Sequence, residues 1–292
     1  MTSNHPTPPQ YAIIIPHYND VVRLKRCLSA LVDQLDGRAE LVVVDNSSTD
    51  DLAPIHQAFP DVRFITETQK GAGIARNRGV ADTTAPYLFF LDADCVPAGD
   101  WFAVACETVA DDAVIGGDVA VFHETAPPLT GAQAFEAVFA FNQKNYVLNK
   151  GFSVTANLLT TRAVFERTGV FRVGVSEDLD WCLRATAAGS ALRYAPDLRV
   201  SHPSRNDWPE LKRKWRRLVE ESFGLQASGL RGRLVWARRA VMMFASPFAH
   251  LPTVLRHGSL MPGEKYRAAV TLFRLRWLRG AWMFQQAVFG RI

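Results

Sequence analysis

The sequence predicts an α/β fold with a mostly parallel central sheet, helices on both faces of that sheet, and a basic helical C-terminal extension. Three features indicate it. Apolar runs typical of buried strands alternate with segments of helical periodicity. Polar or glycine-rich clusters follow the strand ends, as they do where parallel strands form a ligand-binding edge. Positive charge concentrates in residues 199–292.

Five apolar runs predict the strands. They are YAIIIPHYND from residue 11, AELVVVD from residue 39, VRFIT from residue 62, YLFFLD from residue 87 and AVIGGDVAVF from residue 113. Successive apolar residues bury both faces of a strand, which is typical of a parallel sheet covered by helices. Helices are expected over residues 20–36, 73–79, 100–111, 130–151 and 175–189, and over most of the chain after Asp207, with breaks at Pro247, Pro252 and Pro262.

Polar segments follow the carboxyl ends of the predicted strands. They are Pro16–Asn19, Asp45–Asp51, Lys70–Arg76 and Asp92–Asp94. The carboxyl ends of parallel strands meet at one edge of a sheet, where helix N-termini and loops converge on ligands. We therefore expect these four segments to form a binding site at that edge.

Asp92-Ala93-Asp94 ends the most apolar of these strands. An unpaired carboxylate is costly to bury, so the pair belongs at an open strand end. One interpretation is an ordinary strand-to-turn boundary. The other is a divalent metal site, because Mg²⁺ typically takes one or two carboxylates together with phosphate oxygens. The surrounding motifs favour the metal site.

Asp45, Lys70 and Arg76 are the next candidates. Asp45 either caps a turn or accepts a hydrogen bond from a base or ribose. Lys70 and Arg76 frame a glycine-rich turn. They are either surface charges or counter-charges to a diphosphate. The glycines would also let backbone N–H groups approach such a diphosphate. The spacing matches neither a Walker A loop nor a G-x-G-x-x-G fingerprint, which disfavours a P-loop enzyme or a dehydrogenase.

Glu177, Asp178 and Asp180 place three acids in one helical turn beside Trp181. A helix N-terminus favours one or two acids. A third suggests a pocket in which one carboxylate acts as a base. His202, in RVSHPSR, is structural or completes a metal site, because imidazole is a common metal ligand.

The charge distribution divides the chain. The net charge is +4, but residues 1–198 hold 15 lysines and arginines against 24 acids, net −9, and residues 199–292 hold 18 against 5, net +13. We expect a disordered lead at 1–10, a catalytic domain at 11–206 and a basic amphipathic helical extension at 207–292. The basic extension implies an anionic partner: nucleic acid, a lipid surface or a phosphorylated substrate.

The extension mixes arginine with tryptophan, methionine and phenylalanine, which is typical of helices that lie in a membrane interface. Its longest uncharged segment has two prolines and falls short of the roughly 20 apolar residues that span a bilayer. The alternative is that these apolar faces pack on the body or close a homodimer. Four scattered cysteines and an N-terminus without a signal-peptide pattern suit a reducing cytosol.

Seven motifs in order resemble the family 2 glycosyltransferases with the GT-A fold. They are IIIPHYN, VVVDNSSTDD, KGAGIARNRG, FLDADC, the glycines at 116–117, EDLDWCLR and SHP, and they cover residues 11–205. The resemblance implies an enzyme that moves a sugar from a nucleotide-diphosphate donor, with UDP-sugars favoured, to a hydroxyl acceptor. It also implies a single inverting displacement assisted by Mn²⁺ or Mg²⁺.

The same resemblance implies roles for individual residues. The donor site would comprise Pro16, Tyr18, Asn19, Asp45, Lys70, Arg76, Asp92 and Ala93. Asp94 and His202 would bind the metal, and Asp178 would be the general base. Glu177, Asn157 and Trp181 would lie on the acceptor side.

One departure from the family pattern bears on how many sugars are added. The Q-x-x-R-W motif of processive members is replaced by LKRKWRR, which favours addition of one or a few sugars to a lipid-linked or saccharide acceptor. We expect a peripheral enzyme on the cytoplasmic face of the membrane, acting in polysaccharide or glycolipid synthesis. Two alternatives stay open, a sugar nucleotidyltransferase and a non-catalytic module that binds anions or nucleic acid. No nucleic-acid-binding signature is present in the sequence, so we expect no nucleic-acid partner.

Overall fold

The structure is a computed structural model that describes residues 8–225 and 229–291. The expected disordered lead at 1–10 lies largely outside these ranges. The chain forms two compact units. The first comprises the described residues of 1–120, 142–173 and 177–202, and the second comprises those of 121–141, 174–176 and 203–292. The second unit therefore takes in residues 121–141 as well as the expected extension.

Within the described residues, eight strands form one sheet in the order β3-β2-β1-β4-β7-β6-β8-β5. The strands are β1 (Tyr11–His17), β2 (Ala39–Asp45), β3 (Arg63–Thr66), β4 (Tyr87–Leu91), β5 (Val96–Pro97), β6 (Ala113–Phe122), β7 (Asn157–Thr161) and β8 (Ala191–Pro203). The first four strands of the chain are parallel neighbours, so their carboxyl ends share one edge.

The other half of the sheet contains antiparallel pairs, so the central sheet of the predicted α/β fold is mixed. β7 runs antiparallel to β4 and to β6, and β5 runs antiparallel to β8. β7 and β8 were not predicted, because NLLTT and ALRYAPDLRVSHP contain polar and charged residues. They lie beside predicted strands, where hydrogen bonding to a neighbour outweighs weak local preference.

Helices flank both faces of the sheet, as predicted. The first unit contains α1 (Val21–Leu31), α2 (Ala53–Ala58), α3 (Ala72–Ala81), α4 (Trp101–Thr108), α6 (Gln143–Asn145), α7 (Arg162–Thr168) and α8 (Glu177–Ala187), and α5 (Gly131–Phe139) belongs to the second. On one face Phe90 packs against Phe165 and Phe171. On the other, Phe89 packs edge-on against Trp101. Adjacent residues of β4 therefore anchor opposite helical layers, as the alternation of side chains along a strand requires.

The single helix predicted over 130–151 is divided. α5 begins at a capping box formed by Thr130 and Gln133 and ends at Phe139, and a short helix followed by a π-helical turn covers residues 143–150. The two parts belong to different units. A continuous helix would keep both parts on one axis, so the break lets each bury its apolar side chains in a separate core.

The second unit is helical, as predicted. Its remaining helices are α9 (Trp208–Gly224), α10 (Gly229–Arg256) and α11 (Pro262–Phe289). Its two buried clusters draw on α5, α9, α10 and α11, and Phe135, Leu211 and Leu272 are among their members. None of the helices in the described ranges combines the length and the apolar character that crossing a bilayer requires.

Proline breaks were predicted at three places in this unit, and two are absent. α10 continues through Pro247 and Pro252, whereas Pro262 occupies the first turn of α11. Pro247 has no N–H for the carbonyl of Met243. The Ser246 hydroxyl donates to that carbonyl instead, at 2.7 Å, which compensates for the lost backbone bond.

Candidate active site

The loops that follow β1, β2 and β3 are tied together at the common sheet edge. Asn19 adopts a left-handed conformation with φ of 48°, which asparagine tolerates well, and its side-chain oxygen accepts from the backbone N–H of Thr49 at 2.7 Å. Asn46 is buried, and its amide donates to the carbonyls of Glu67 and Gln69. These hydrogen bonds hold the loops at the sheet edge in place. The side-chain oxygen of Asn19 is used in holding its neighbouring loop.

His17 is a site residue that the sequence analysis missed. It is buried at the end of β1, and its Nδ1 lies 3.2 Å from Asp45 Oδ1. The backbone N–H of Asp20 donates to His17 Nε2 at 3.2 Å, so Nδ1 carries the proton that points to Asp45. Asp45 also accepts from the backbone N–H of Ser48. Asp45 is thus positioned by a turn and by an imidazole. The sequence signal that could have identified His17 is its place in PHY, directly after an apolar run.

Tyr18 and Lys70 present exposed side chains at the same edge. Tyr18 is 49% exposed, and Lys70 Nζ donates to its hydroxyl at 2.8 Å and lies 4.4 Å from the ring centroid. Pro16 is partly buried at the end of β1. An aromatic ring beside an ammonium group offers a stacking surface together with a positive charge, which suits a nucleotide.

Arg76 lies inside the site, contrary to the expectation that it contacts a donor directly. Only 3% of Arg76 is exposed. Its guanidinium pairs with Glu177 and, at 2.5 Å, with Asp92. Residue 73 on α3 is glycine, and a Cβ there would lie 2.5 Å from Glu177 Oε2. The missing side chain therefore allows α8 and α3 to approach closely enough for Arg76 to join the two acids.

The charge of Arg76 is set by its surroundings. Burial alone would lower its pKa, but Asp92, Glu177 and Asp178 together raise it above the usual range. The guanidinium therefore stays positive and neutralises part of an acidic cluster. Its Nε is buried and makes no hydrogen bond with any described residue. Arg76 is best described as the residue that holds Asp92 and Glu177 in position.

Asp178 lies in the first turn of α8 and is only partly exposed. Its Oδ1 accepts from the Thr155 hydroxyl at 2.8 Å. Burial and the charge of Glu177 raise its pKa to about 7, although Arg76 and Thr155 act in the opposite direction. A carboxylate with a pKa near neutrality has the basicity that proton abstraction at physiological pH requires.

Asp94 and His202, the two predicted metal ligands, lie side by side. His202 Nε2 is 3.1 Å from Asp94 Oδ2, and the imidazole is buried. A carboxylate oxygen and an imidazole nitrogen suit Mn²⁺, and the carboxylate suits Mg²⁺. The described residues contain no group of three or more histidine, cysteine or acidic side chains that could hold a metal. A metal held by this pair would take its other ligands from water or from a bound substrate.

Ala93, between the two aspartates, is nearly buried and offers a contact only through its backbone and a small part of its side chain. Glu177 remains partly exposed, but it is committed to Arg76.

Two expected acceptor-side residues lie in the core instead. Trp181 is fully buried among apolar side chains, and its indole donates to the carbonyl of Gly169 at 2.9 Å. Asn157 is also fully buried, donates to the carbonyls of Asp118 and Leu198, and accepts from Trp101. Neither side chain reaches solvent, so an acceptor does not contact them. The segment directly before Asn157 supplies Thr155, a contact of Asp178 that the sequence analysis did not single out.

Comparison with known proteins places the sequence in a family. The sequence model of glycosyl transferase family 2 matches residues 12–173. The glycosyltransferase AglE of Haloferax volcanii is 30% identical over 221 residues, which cover 72% of each chain. The pre-mycofactocin glycosyltransferase of Mycobacterium tuberculosis is 27% identical over 233 residues, covering 71% of this chain and 47% of that protein.

A solved structure shares the fold. The mannosyltransferase PcManGT from Pyrobaculum calidifontis, in complex with GDP-Man and Mn²⁺, aligns with 98% of this chain and 89% of its own, with a TM-score of 0.59 and 20% identity. The family match sets aside the nucleotidyltransferase and the non-catalytic module. The chain belongs to glycosyl transferase family 2 and has the GT-A fold.

Proposed function

We propose that the chain is an inverting, metal-assisted glycosyltransferase that moves a sugar from a nucleotide-diphosphate donor to a hydroxyl of a lipid-linked or saccharide acceptor. The observation that carries this proposal is the position of Asp178 in one cluster with Arg76 and Asp92, where its carboxylate is held by Thr155. The raised pKa of Asp178, about 7, agrees with that position. The neighbouring mannosyltransferase was solved with GDP-Man and Mn²⁺, which supports a nucleotide sugar and a divalent metal. UDP-sugars and GDP-sugars are therefore the first donors to test.

The donor is assigned to the strand edge. Tyr18 and Asp45, with Pro16, would hold the base and ribose, and Lys70 would face the diphosphate. Tyr18 and Lys70 are exposed and already in contact, so a nucleotide reaches them without a rearrangement of the core. Asp92 is held by Arg76 beside this edge and would contact the ribose or a metal-bound water.

Asp94 and His202 would hold Mn²⁺ or Mg²⁺. Such a metal, when bound, stabilises the negative charge of a leaving diphosphate. The protein contributes the carboxylate and the imidazole at 3.1 Å, and the burial of His202 fixes the direction of its ring.

Asp178 would remove the proton from the acceptor hydroxyl while that oxygen attacks the anomeric carbon. Thr155 donates to one carboxylate oxygen of Asp178 and leaves the other for the acceptor. A single displacement of this kind inverts the anomeric configuration. Proton NMR of the product should show the configuration opposite to that of the donor sugar, and a product with the donor's configuration would reject the single displacement.

The pH dependence of the reaction should report Asp178. A general base acts when deprotonated, and the pKa of Asp178 is raised to about 7, so kcat/KM should fall as the pH drops through about 7. Glu177→Gln removes a charge that raises this pKa. We expect the acid limb of that variant at lower pH, measured in kcat/KM profiles from pH 5 to pH 9. An unmoved acid limb would mean that another group titrates.

We also propose that the second unit binds an anionic membrane surface at the cytoplasmic face. Its basic helices expose large apolar side chains, among them Phe248, Trp277 and Phe284. Phe248 contacts Phe273, which contacts Trp277, so aromatic rings of α10 and α11 form one continuous surface. Anionic lipid attracts each nearby lysine or arginine by about 1 kcal/mol, and inserted aromatic rings add to that attraction.

Vesicle flotation tests the membrane proposal. The protein should float with phosphatidylglycerol vesicles at low salt, less at high salt, and hardly at all after Phe248→Ser and Trp277→Ser are combined. Val22→Ser, at an exposed position on α1 in the first unit, is the control and should float like the wild type. A wild-type protein that stays in the dense fraction at every salt concentration, and elutes as a dimer, would assign the aromatic surface to a second copy.

A further inference from the structure

Two arginines of the second unit differ from the rest of its basic residues. Arg276 and Arg279 are three residues apart on α11, so their side chains lie on adjacent parts of one helix face. Burial lowers the pKa of Arg276. It also lowers the pKa of Arg279 to about 9, to which the neighbouring charge of Arg276 contributes. Both side chains are partly buried, so two cations stand close together where access to water is limited.

Neither arginine pairs with an acid among the described residues. The ion pairs of α9 show the contrast, because Arg216 and Arg217 each meet a glutamate four residues later. Arg276 donates a hydrogen bond to the sulfur of Met243, at 3.4 Å, and sulfur is a weak acceptor. The guanidinium of Arg279 lies 3.8 Å from the ring centroid of Trp215.

Three buried donors at this place lack an acceptor in the described part of the chain. They are Nε of Arg276, Nε of Arg279 and the indole Nε1 of Trp215. A buried donor without an acceptor is costly, and natural structures usually satisfy such groups with water, an ion or a ligand. The three donors all require an acceptor, and the two charges require an anion.

We propose that Arg276, Arg279 and Trp215 form a binding site for a phosphate group, carried by a lipid headgroup. A guanidinium presents a planar fork of N–H groups that matches phosphate oxygens, and the stacked Trp215 ring holds the fork of Arg279 in place. Trp277, next in sequence to Arg276, is 47% exposed and belongs to the aromatic surface of α10 and α11. Aromatic rings beside a phosphate site favour a phosphate that carries acyl or polyprenyl chains.

This site is independent of the proposed sugar transfer. It contains no residue of the donor, metal or base assignments, and it would bind phosphate in a protein whose catalytic assignments were wrong. Inorganic phosphate offers the same chemistry as a lipid headgroup, so it serves as the first probe.

Thermal unfolding of the full chain in sodium phosphate and in sodium chloride of equal ionic strength tests the site. Phosphate should raise the midpoint of the wild type. Arg279→Gln should weaken the apparent phosphate affinity by about tenfold or more, because it removes a charge-assisted contact. Arg238→Gln removes the same charge from an exposed position on α10, and its phosphate response should match the wild type.

The midpoint in chloride separates a ligand site from a structural arginine. Loss of a desolvated charge that has no acidic partner should leave the midpoint of Arg279→Gln unchanged or higher. A lower midpoint in chloride together with an unchanged phosphate response would overturn the proposal. So would an equal loss of phosphate response in Arg279→Gln and Arg238→Gln, since that result describes general charge screening.

Vesicles identify the source of the phosphate. Flotation is compared between vesicles of a neutral, phosphate-free glycolipid that carry phosphatidate and vesicles of the same glycolipid that carry an equal fraction of a phosphate-free anionic lipid. It should depend on Arg279 only in the phosphatidate arm. Dependence on Arg279 for soluble phosphate but not for phosphatidate would overturn the lipid source.

Discussion

Replacing Asp178 by asparagine is expected to lower kcat by about 10²-fold or more, since removal of a general base costs that much, while donor binding survives. Asparagine keeps the size of the side chain and can still accept from the Thr155 hydroxyl, so the helix start should be retained. Steady-state kinetics with a saturating donor give kcat, and calorimetric titration with the nucleoside diphosphate gives donor affinity.

Asp180→Asn is the matched control for this prediction. Asp180 is an acid in the same helical turn as Asp178. Its carboxylate pairs instead with Arg184 at 2.8 Å and lies 3.6 Å from Arg172. We expect near-normal kcat and a modest loss of stability. A crippled Glu177→Gln beside a nearly normal Asp178→Asn would move the base to Glu177.

Replacing Asp94 by alanine is expected to abolish metal-dependent donor binding and to lower kcat/KM by about 10²-fold or more, because a catalytic metal contributes several kcal/mol. Asp94 places a carboxylate oxygen 3.1 Å from His202 Nε2, so alanine removes one of the two side chains proposed to hold the metal. Activity titrated with Mn²⁺ measures the effect, and circular dichroism checks that the fold is intact.

Asp100→Ala is the control for metal binding. Asp100 lies directly before α4, is exposed, and pairs loosely with Arg199 at 3.5 Å. Its loss should not change the Mn²⁺ requirement. If Asp94→Ala stays fully active, and EDTA does not alter that activity, the metal assignment is wrong.

Much of the fold was predictable because its strands are buried on both faces. Ile13, Ile14 and Ile15 are all fully buried, which is why an uninterrupted apolar run identified β1. β8 alternates exposed charged residues with buried ones and was therefore missed. The assignment of α5 to the second unit was also missed, because amphipathic periodicity shows which face is buried but not which partner buries it.

The site was predictable where residues act at strand ends, and less so where they act through contacts. Asp92 and Asp94 follow β4, and Asp178 lies in the first turn of α8, which are the positions in the fold that the sequence pattern predicted. The contact between Asp94 and His202 joins residues far apart in sequence. His17 and Thr155 were not predicted, because each contributes a hydrogen bond to an acid that is distant in sequence. Trp181 was assigned to a pocket because it follows three acids in sequence, but its side chain is fully buried.

Thermal unfolding with a panel of nucleoside diphosphates, each with and without Mn²⁺, tests the central claim most directly. The claim is that the sheet edge binds a nucleotide diphosphate together with a metal held by Asp94 and His202. We predict that one nucleoside diphosphate with Mn²⁺ stabilises the wild type, by about 2.7 kcal/mol at 100 times its Kd, and that Asp94→Ala loses the Mn²⁺-dependent part. A wild-type protein that no nucleoside diphosphate stabilises, with or without Mn²⁺, would contradict the claim.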